Sequence, residues 1–81
     1  MLVTVRLFAR LRDLSGKSEL RLEIPDGSDV CALWTGLTVE YPALAPYTGS
    51  VSCAVNEEYA KLTTQLGEGD EIAFLPPVSG G

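Results

Sequence analysis

The chain has 81 residues, a length that fits one domain built around a single compact core. Its composition, 46% hydrophobic and 21% charged, is typical of a soluble globular protein, and its net charge of −5 argues against a nucleic-acid-binding role, which normally needs a basic patch. It contains no histidine, which excludes imidazole bases, Ser-His or Cys-His nucleophile pairs and histidine metal ligands.

Two strands and a short helical turn are predicted in the N-terminal third. Alternating apolar residues predict a first strand over residues 2–9. Its expected buried face carries Val3, Val5, Leu7 and Ala9, and its polar face carries Thr4, Arg6 and Phe8. Residues 11–17 are interpreted as a helical turn and loop. Leucine or isoleucine at every second position of residues 19–24 predicts a second strand with one buried and one wet face.

One helix of normal length is predicted in the middle of the chain. The Pro25-Asp26-Gly27 turn ends the second strand. Ser28 is the expected N-cap, with Asp29 near the positive end of the helix dipole, and Pro42 ends the helix. The buried stripe is expected to comprise Val30, Leu33, Trp34, Leu37 and Tyr41, at spacings of three and four.

Further strands follow an irregular stretch. They are predicted around residues 51–55, 59–62 and 71–75, with a turn at 66–70. One helix can cover one face of one sheet, and the simplest packing puts the last strand parallel to the first in the middle of the sheet. The sequence therefore predicts an α+β fold of the β-grasp (ubiquitin-like) kind. We expect a mixed sheet of four to five strands, a domain over residues 1–75 and an extended tail over residues 76–81.

The C-terminal tail, residues 76–81, is the candidate functional segment. It reads Pro76-Pro77-Val78-Ser79-Gly80-Gly81, so two prolines favour an extended exit from the sheet and only small residues follow them. The four residues after Pro77 reach about 13–14 Å when extended. Such a tail can carry the carboxylate of Gly81 into a buried site of another protein, where activation as an acyl-adenylate would supply a leaving group. Terminal glycines also occur in ordinary frayed chain ends, so the dipeptide alone is weak evidence.

The sequence also predicts a cytoplasmic protein without a metal site. No apolar run approaches the roughly 20 residues of a membrane-spanning helix, and residues 1–6 do not resemble a secretory signal. Cys31 and Cys53 are too few and too far apart to predict a disulfide framework or a zinc site. Both are interpreted as small buried residues, although a free cysteine at a helix start, as Cys31 is expected to be, can be reactive.

Three segments resemble the small subunit of molybdopterin synthase. They are residues 3–14 (VTVRLFARLRDL), 54–56 (AVN) and 69–81 (GDEIAFLPPVSGG), and the middle helix and its following loop match in pattern. The long C-terminal string is the specific part of this resemblance.

The resemblance implies a sulfur carrier that performs no catalysis alone. An adenylating enzyme would activate Gly81 with ATP, and a sulfur donor would convert it to a thiocarboxylate. Pro77, Val78, Ser79 and Gly80 would form the tail inserted into the large subunit of a heterotetrameric synthase. There the sulfur would pass to a cyclic pyranopterin monophosphate, giving molybdopterin. No bound cofactor, nucleic acid or membrane is implied.

Three residues are candidates for docking on the partner. Phe8 is expected on the polar face of the first strand, where a large aromatic side chain would be exposed beside the tail. Phe74 and Leu75 lie on opposite faces of the last strand, and whichever of them points outward is expected to join Phe8 in the docking surface. Two alternatives stay open: a sulfur carrier of a related pathway (thiamine, cysteine or tRNA thiolation), or a ubiquitin-like protein modifier or plain interaction domain.

Overall fold

The computed structural model describes residues 1–77. Its strands are β1 (Leu2–Leu7), β2 (Glu19–Glu23), β3 (Ser52–Val55), β4 (Glu58–Ala60) and β5 (Glu71–Leu75). Its helices are α1 (Ala9–Ser15), α2 (Val30–Glu40) and a 3₁₀ helix (Pro42–Tyr47). The structure therefore has five strands, the larger of the two predicted numbers. The stretch after α2 that was predicted to be irregular contains the 3₁₀ helix.

The strands form one mixed sheet in the order β2-β1-β5-β3-β4. Strand β5 pairs parallel with β1, with Val5 opposite Ile72 and Leu7 opposite Phe74, and antiparallel with β3. The remaining pairs, β1 with β2 and β3 with β4, are antiparallel. The β-grasp prediction is confirmed, including the central position of the first and last strands.

One face of this sheet is covered by α2 and by the segments that flank it. From α2 the core takes the predicted stripe except Tyr41, which is half-buried and caps the C-terminal end of the helix. The Trp34 ring packs at 5.0 Å from the Phe74 ring, and its indole N–H donates to Thr48 Oγ1 at 3.0 Å, so its polar atom is satisfied. The buried core also contains Val3, Val5, Leu7, Leu11, Leu44, Cys53, Leu66 and Ile72.

The helix start differs by one residue from its prediction. Asp29, rather than Ser28, is the N-cap of α2, because its carboxylate accepts a hydrogen bond from the Ala32 N–H at 2.8 Å. The Ser28 hydroxyl instead donates to the Pro25 carbonyl at 2.6 Å and closes the preceding turn.

The first strand is two residues shorter than predicted. It ends at Leu7, and the chain turns at Ala9, whose φ of 51° lies in the left-handed region. Ala9 therefore starts α1 and is exposed instead of continuing the buried face of β1.

Candidate functional site

The second face of the sheet is not covered by any element within residues 1–77. Its central strands contribute small side chains, Ala73 from β5 and Ala54 from β3, which lie directly opposite each other. Tyr59 of β4 pairs with Ala54 and is 83% exposed. Together with Phe8 and Leu75, these residues form the open face, an apolar surface next to the point where the tail leaves the sheet.

Phe8 lies on this open face, as predicted. It follows β1 directly and keeps extended backbone angles (φ −117°, ψ 153°), so its side chain points to the same side as that of Arg6. The Arg6 guanidinium carbon lies 5.9 Å from the centre of the Phe8 ring, a cation–π distance. Phe8 is 38% exposed. Because Leu7 is opposite Phe74 in the parallel pair, Phe8 is level with Leu75 at the carboxyl end of β5.

Leu75 belongs to the open face, whereas the prediction that Phe74 is a docking residue is wrong. Phe74 is 0% exposed and packs on Trp34 in the core. Successive side chains of a strand point to opposite faces, so Leu75 faces away from α2 and remains half-buried beside Ser52 of β3. The sequence could not decide which of the two side chains faces the core, because residues 72–75 are all apolar.

Sequence reasoning missed Tyr59 as a candidate docking residue. The signal was an aromatic residue within a short polar segment, between Glu58 and Lys61. A three-residue edge strand with a side chain 83% exposed leaves that ring available to a partner.

A hydrogen-bonded corner fixes the start of β5, the strand that leads into the tail. Asn56 donates through Nδ2 to Asp70 Oδ1 at 3.0 Å and accepts the Glu71 N–H on Oδ1 at 3.0 Å, while its own N–H donates to the Glu71 carbonyl at 2.8 Å. The second Asp70 carboxylate oxygen accepts the Gly67 N–H at 2.8 Å. These bonds tie the β3–β4 turn to the first residue of β5, at the end of the strand opposite the tail.

The tail itself begins with a half-buried Pro76 and an exposed Pro77. Neither proline can donate a backbone hydrogen bond, so the ladder of β5 ends at Leu75. The predicted roles of Val78, Ser79, Gly80 and Gly81 lie outside the described residues.

The acidic residues near this corner act mostly as turn and surface groups. Glu57, Glu58 and Glu68 are exposed, whereas the Asp70 carboxylate is held in the corner described above. Glu71 lies 3.9 Å from an Arg6 guanidinium nitrogen across the open face. Both partners are partly exposed, so this ion pair contributes little stability but places one charge of each sign beside the apolar surface.

The cysteines play no part in the open face. Cys53 is buried as predicted, its thiol contacts the Ala60 carbonyl at 3.2 Å, and burial raises the pKa of that thiol from its ordinary value of 9.0. Cys31 is exposed, which corrects the prediction that it is buried. It follows Val30 on α2 and so lies about 100° around the helix from that residue, outside the stripe.

Residues 1–77 hold no group of three or more histidine, cysteine or acidic side chains placed to bind a metal ion. Within the same range, no helix has the length and apolar character needed to traverse a bilayer.

Comparison with known proteins gives consistent results. Residues 5–81 match the ThiS family. The molybdopterin synthase sulfur carrier subunit of Mycobacterium tuberculosis is 39% identical over 80 residues, which are 98% of this chain and 96% of the relative. A crystal structure of SAMP1 from Haloferax volcanii matches with a TM-score of 0.88 at 28% identity, covering 100% of both chains. A complex of subunits 1 and 2 of the molybdopterin-converting factor from Helicobacter pylori contains a chain that matches with a TM-score of 0.70 at 29% identity, again over 100% of both chains.

Proposed function

Because the chain belongs to the ThiS family, we propose that it is the sulfur carrier subunit of a cytoplasmic molybdopterin synthase and that the Gly81 carboxylate is its working group. The observation that carries this proposal is the 39% identity to a sulfur carrier subunit over nearly the full length of both proteins. It is supported by the Pro-Pro-Val-Ser-Gly-Gly ending, which follows directly on a central strand of the sheet.

The proposed chemistry needs no catalytic side chain from this protein. In the adenylating enzyme, a Gly81 carboxylate oxygen attacks the α-phosphorus of ATP and pyrophosphate leaves. Sulfide then attacks the acyl carbon of the adenylate and AMP leaves, which gives the thiocarboxylate directly; a persulfide donor would instead give an acyl disulfide, whose S–S bond a thiol reductant must cleave. The synthase moves that sulfur to a cyclic pyranopterin monophosphate, and two carriers complete the dithiolene of molybdopterin. The absence of histidine fits this division of labour, since the partners supply the acid–base groups.

The open face is the proposed docking surface for the large subunit. It is apolar at its centre, Phe8 and Leu75 lie beside the root of the tail, and Tyr59 lies on the outer strand β4. A partner seated there would receive the tail in a direction set by β5. The assembly proposed is a heterotetramer with two carriers and two large subunits, in line with the Helicobacter pylori complex of two different subunits.

A reconstitution tests this proposal. The protein is loaded with the adenylating enzyme, ATP and a sulfide source, and the exchange of one oxygen for sulfur at Gly81 is verified by intact mass. The thiocarboxylate is then mixed with a large subunit and the cyclic pyranopterin. Dithiolene product is expected from the loaded form, and none from the carboxylate form or from a variant that lacks Gly81. A confirmed thiocarboxylate that yields no product would move the protein to another sulfur pathway.

A second candidate function is protein modification. It is favoured by the TM-score of 0.88 to Haloferax volcanii SAMP1, a protein named a small archaeal modifier protein. In this case the Gly81 adenylate would be attacked by a lysine amine of a target, and an isopeptide bond would form. Expression of the tagged protein beside its Gly81 deletion separates the two functions, because only conjugation produces higher-mass adducts that resist thiol reagents.

A further inference from the structure

Strand β2 forms one edge of the sheet, and the hydrogen-bond pattern shows which of its backbone groups point away from β1. Met1 and Ile24 exchange both backbone hydrogen bonds, at 2.7 and 2.8 Å, and the Leu7 N–H donates to the Ser18 carbonyl at 3.0 Å. In an antiparallel pair such bonded positions alternate with unbonded ones. The unbonded positions of β2 are therefore Glu19, Arg21 and Glu23, which lie opposite Arg6, Thr4 and Leu2.

The backbone N–H and C=O groups of these three residues point away from β1, toward the side of β2 that has no strand neighbour. Within residues 1–77 no hydrogen bond satisfies the three N–H groups. Three donors and three acceptors in a row form a template for one added strand.

An apolar groove runs along the same edge on the helix side of the sheet. Its sheet wall consists of Leu20, Leu22 and Ile24, all half-buried, and its helix wall is the side of α2 that carries Gly36. Gly36 leaves the groove open, because no atom lies within 4 Å of the position that a Cβ would occupy there. The other lining residues are Glu23, Pro25, Ser28, Ala32, Leu33, Leu37, Glu40 and Tyr41. A strand added to β2 would point every second side chain into this groove.

The charges along the edge argue against the self-pairing of a second copy in the register centred on Arg21, whereas a register centred on Leu20 would pair Glu19 with Arg21 and is left to the dimer test below. Antiparallel pairing of β2 with itself about Arg21 would place Arg21 opposite Arg21 and Glu19 opposite Glu23. Like charges directly opposite each other destabilise a strand pair. The charged residues of the groove lining, Glu23 and Glu40, are both acidic. The edge thus complements a strand with basic, acidic and basic side chains at its outward positions and apolar side chains between them.

We propose that the β2 edge and its groove bind an extended segment of a partner protein by strand addition, with the pattern basic–apolar–acidic–apolar–basic. The apolar pair enters the groove beside Leu20 and Leu22, and the charged residues pair with Glu19, Arg21 and Glu23 on the other face. This site is independent of the tail and lies at a different edge from Tyr59, so it does not depend on the proposed sulfur chemistry.

A fluorescein-labelled peptide with a Lys-Val-Glu-Val-Lys core and Ser-Gly flanks is the probe, because its pattern reads the same in both strand directions. Binding to the full chain is followed by anisotropy at low salt, and the site is located by amide chemical shifts. Saturable binding is expected, with shifts at Glu19, Arg21, Glu23 and Gly36. A peptide of the same composition without the alternation should bind about tenfold more weakly or worse. Absence of saturable binding, or shifts on the open face instead, would overturn the proposal.

Two sets of variants decide whether the edge carries the binding. Arg21→Pro removes an outward N–H and is compatible with an edge strand, so the fold should persist while peptide affinity falls about tenfold. Tyr59→Pro at the opposite edge is the matched control and should bind normally. The charge reversal Glu19→Lys, Arg21→Glu and Glu23→Lys should prefer the peptide with a Glu-Val-Lys-Val-Glu core. Unchanged binding by both edge variants, or a concentration-dependent dimer that Arg21→Pro abolishes, would refute a partner segment as the occupant.

Discussion

Phe74 and Leu75 are adjacent but have different expected roles, Phe74 in the core and Leu75 in the docking surface. Truncating each side chain to alanine distinguishes the two roles. Phe74→Ala removes a fully buried ring that packs 5.0 Å from Trp34. A change of this kind costs about 3–5 kcal/mol. An 81-residue domain has a total stability of about 4–12 kcal/mol. The substitution therefore removes a large share of the free energy of unfolding. Leu75→Ala, on the uncovered face, should cost about 1 kcal/mol, since its side chain is half-buried.

Urea unfolding followed by far-UV circular dichroism measures both losses. This signal is preferable to tryptophan fluorescence, because Trp34 contacts the mutated ring. With a slope of about 1 kcal/mol per molar urea, Phe74→Ala should lower the midpoint by about 3 M or more and Leu75→Ala by about 1 M. A midpoint for Phe74→Ala within about 0.5 M of the wild type would refute the assignment of Phe74 to the core.

The same pair tests the docking surface of the open face. Leu75→Ala should weaken binding to a molybdopterin synthase large subunit without unfolding the carrier. The milder variant Phe74→Leu keeps an apolar side chain in the core, so its folded fraction should bind normally while its stability falls by about 1–2 kcal/mol. Titration calorimetry at a temperature where both variants are folded distinguishes these effects. Equal loss of affinity in both variants would contradict the separation of the two faces.

The remaining predictions rest on local geometry. Asp29→Ala removes the N-cap of α2 and should lower the thermal unfolding free energy by about 1 kcal/mol, whereas Ser28→Ala should change it by less than half as much. Glu57→Gly should raise stability by about 0.5–1 kcal/mol in urea unfolding, because Glu57 has a φ of 71° that glycine adopts without strain. A neutral Cys53 thiol is favoured in the fold, so its stabilising effect is complete below pH 9.0 and is lost as pH rises above that value. Cys53→Ala should therefore show a smaller loss of stability between about pH 8 and about pH 10.5 than the wild type, and a mild alkylating agent should modify Cys31 alone in the native protein.

The sequence predicted the parallel pairing of the first and last strands from the packing of one helix on one sheet. It predicted the single covered face because strands with one side in water alternate between apolar and polar residues. Strand β2 is the clearest case, with glutamate or arginine between its leucines. The same argument could not assign the faces of β5, because both of them carry apolar residues and the strand lies between β1 and β3. Its register became visible only through the parallel pairing of Leu7 with Phe74.

The other wrong predictions, for the start of α2, the end of β1 and the exposure of Cys31, have local causes. Ser28 and Asp29 are both good caps, and the choice depends on which oxygen reaches the Ala32 N–H. The end of β1 depends on a left-handed backbone at Ala9, which alanine rarely adopts and sequence does not signal. The exposure of Cys31 was within reach of the sequence, because it falls outside the stripe that starts at Val30.

The two proposed surfaces make different demands on the sheet, and this decides whether they can be occupied together. A large subunit on the open face contacts side chains that project from one side of the sheet, with the tail root at its centre. A strand on the β2 edge lies in the plane of the sheet and points its apolar side chains to the opposite side, against α2. The two overlap only where Glu19, Arg21 and Glu23 project onto the open face, and β1 separates those residues from β5. With strands about 4.8 Å apart, a strand added to β2 would lie about 14 Å from β5. A large subunit whose contacts stay within β1, β5, β3 and β4 therefore leaves the edge free, whereas one whose contacts reach β2 competes with the peptide.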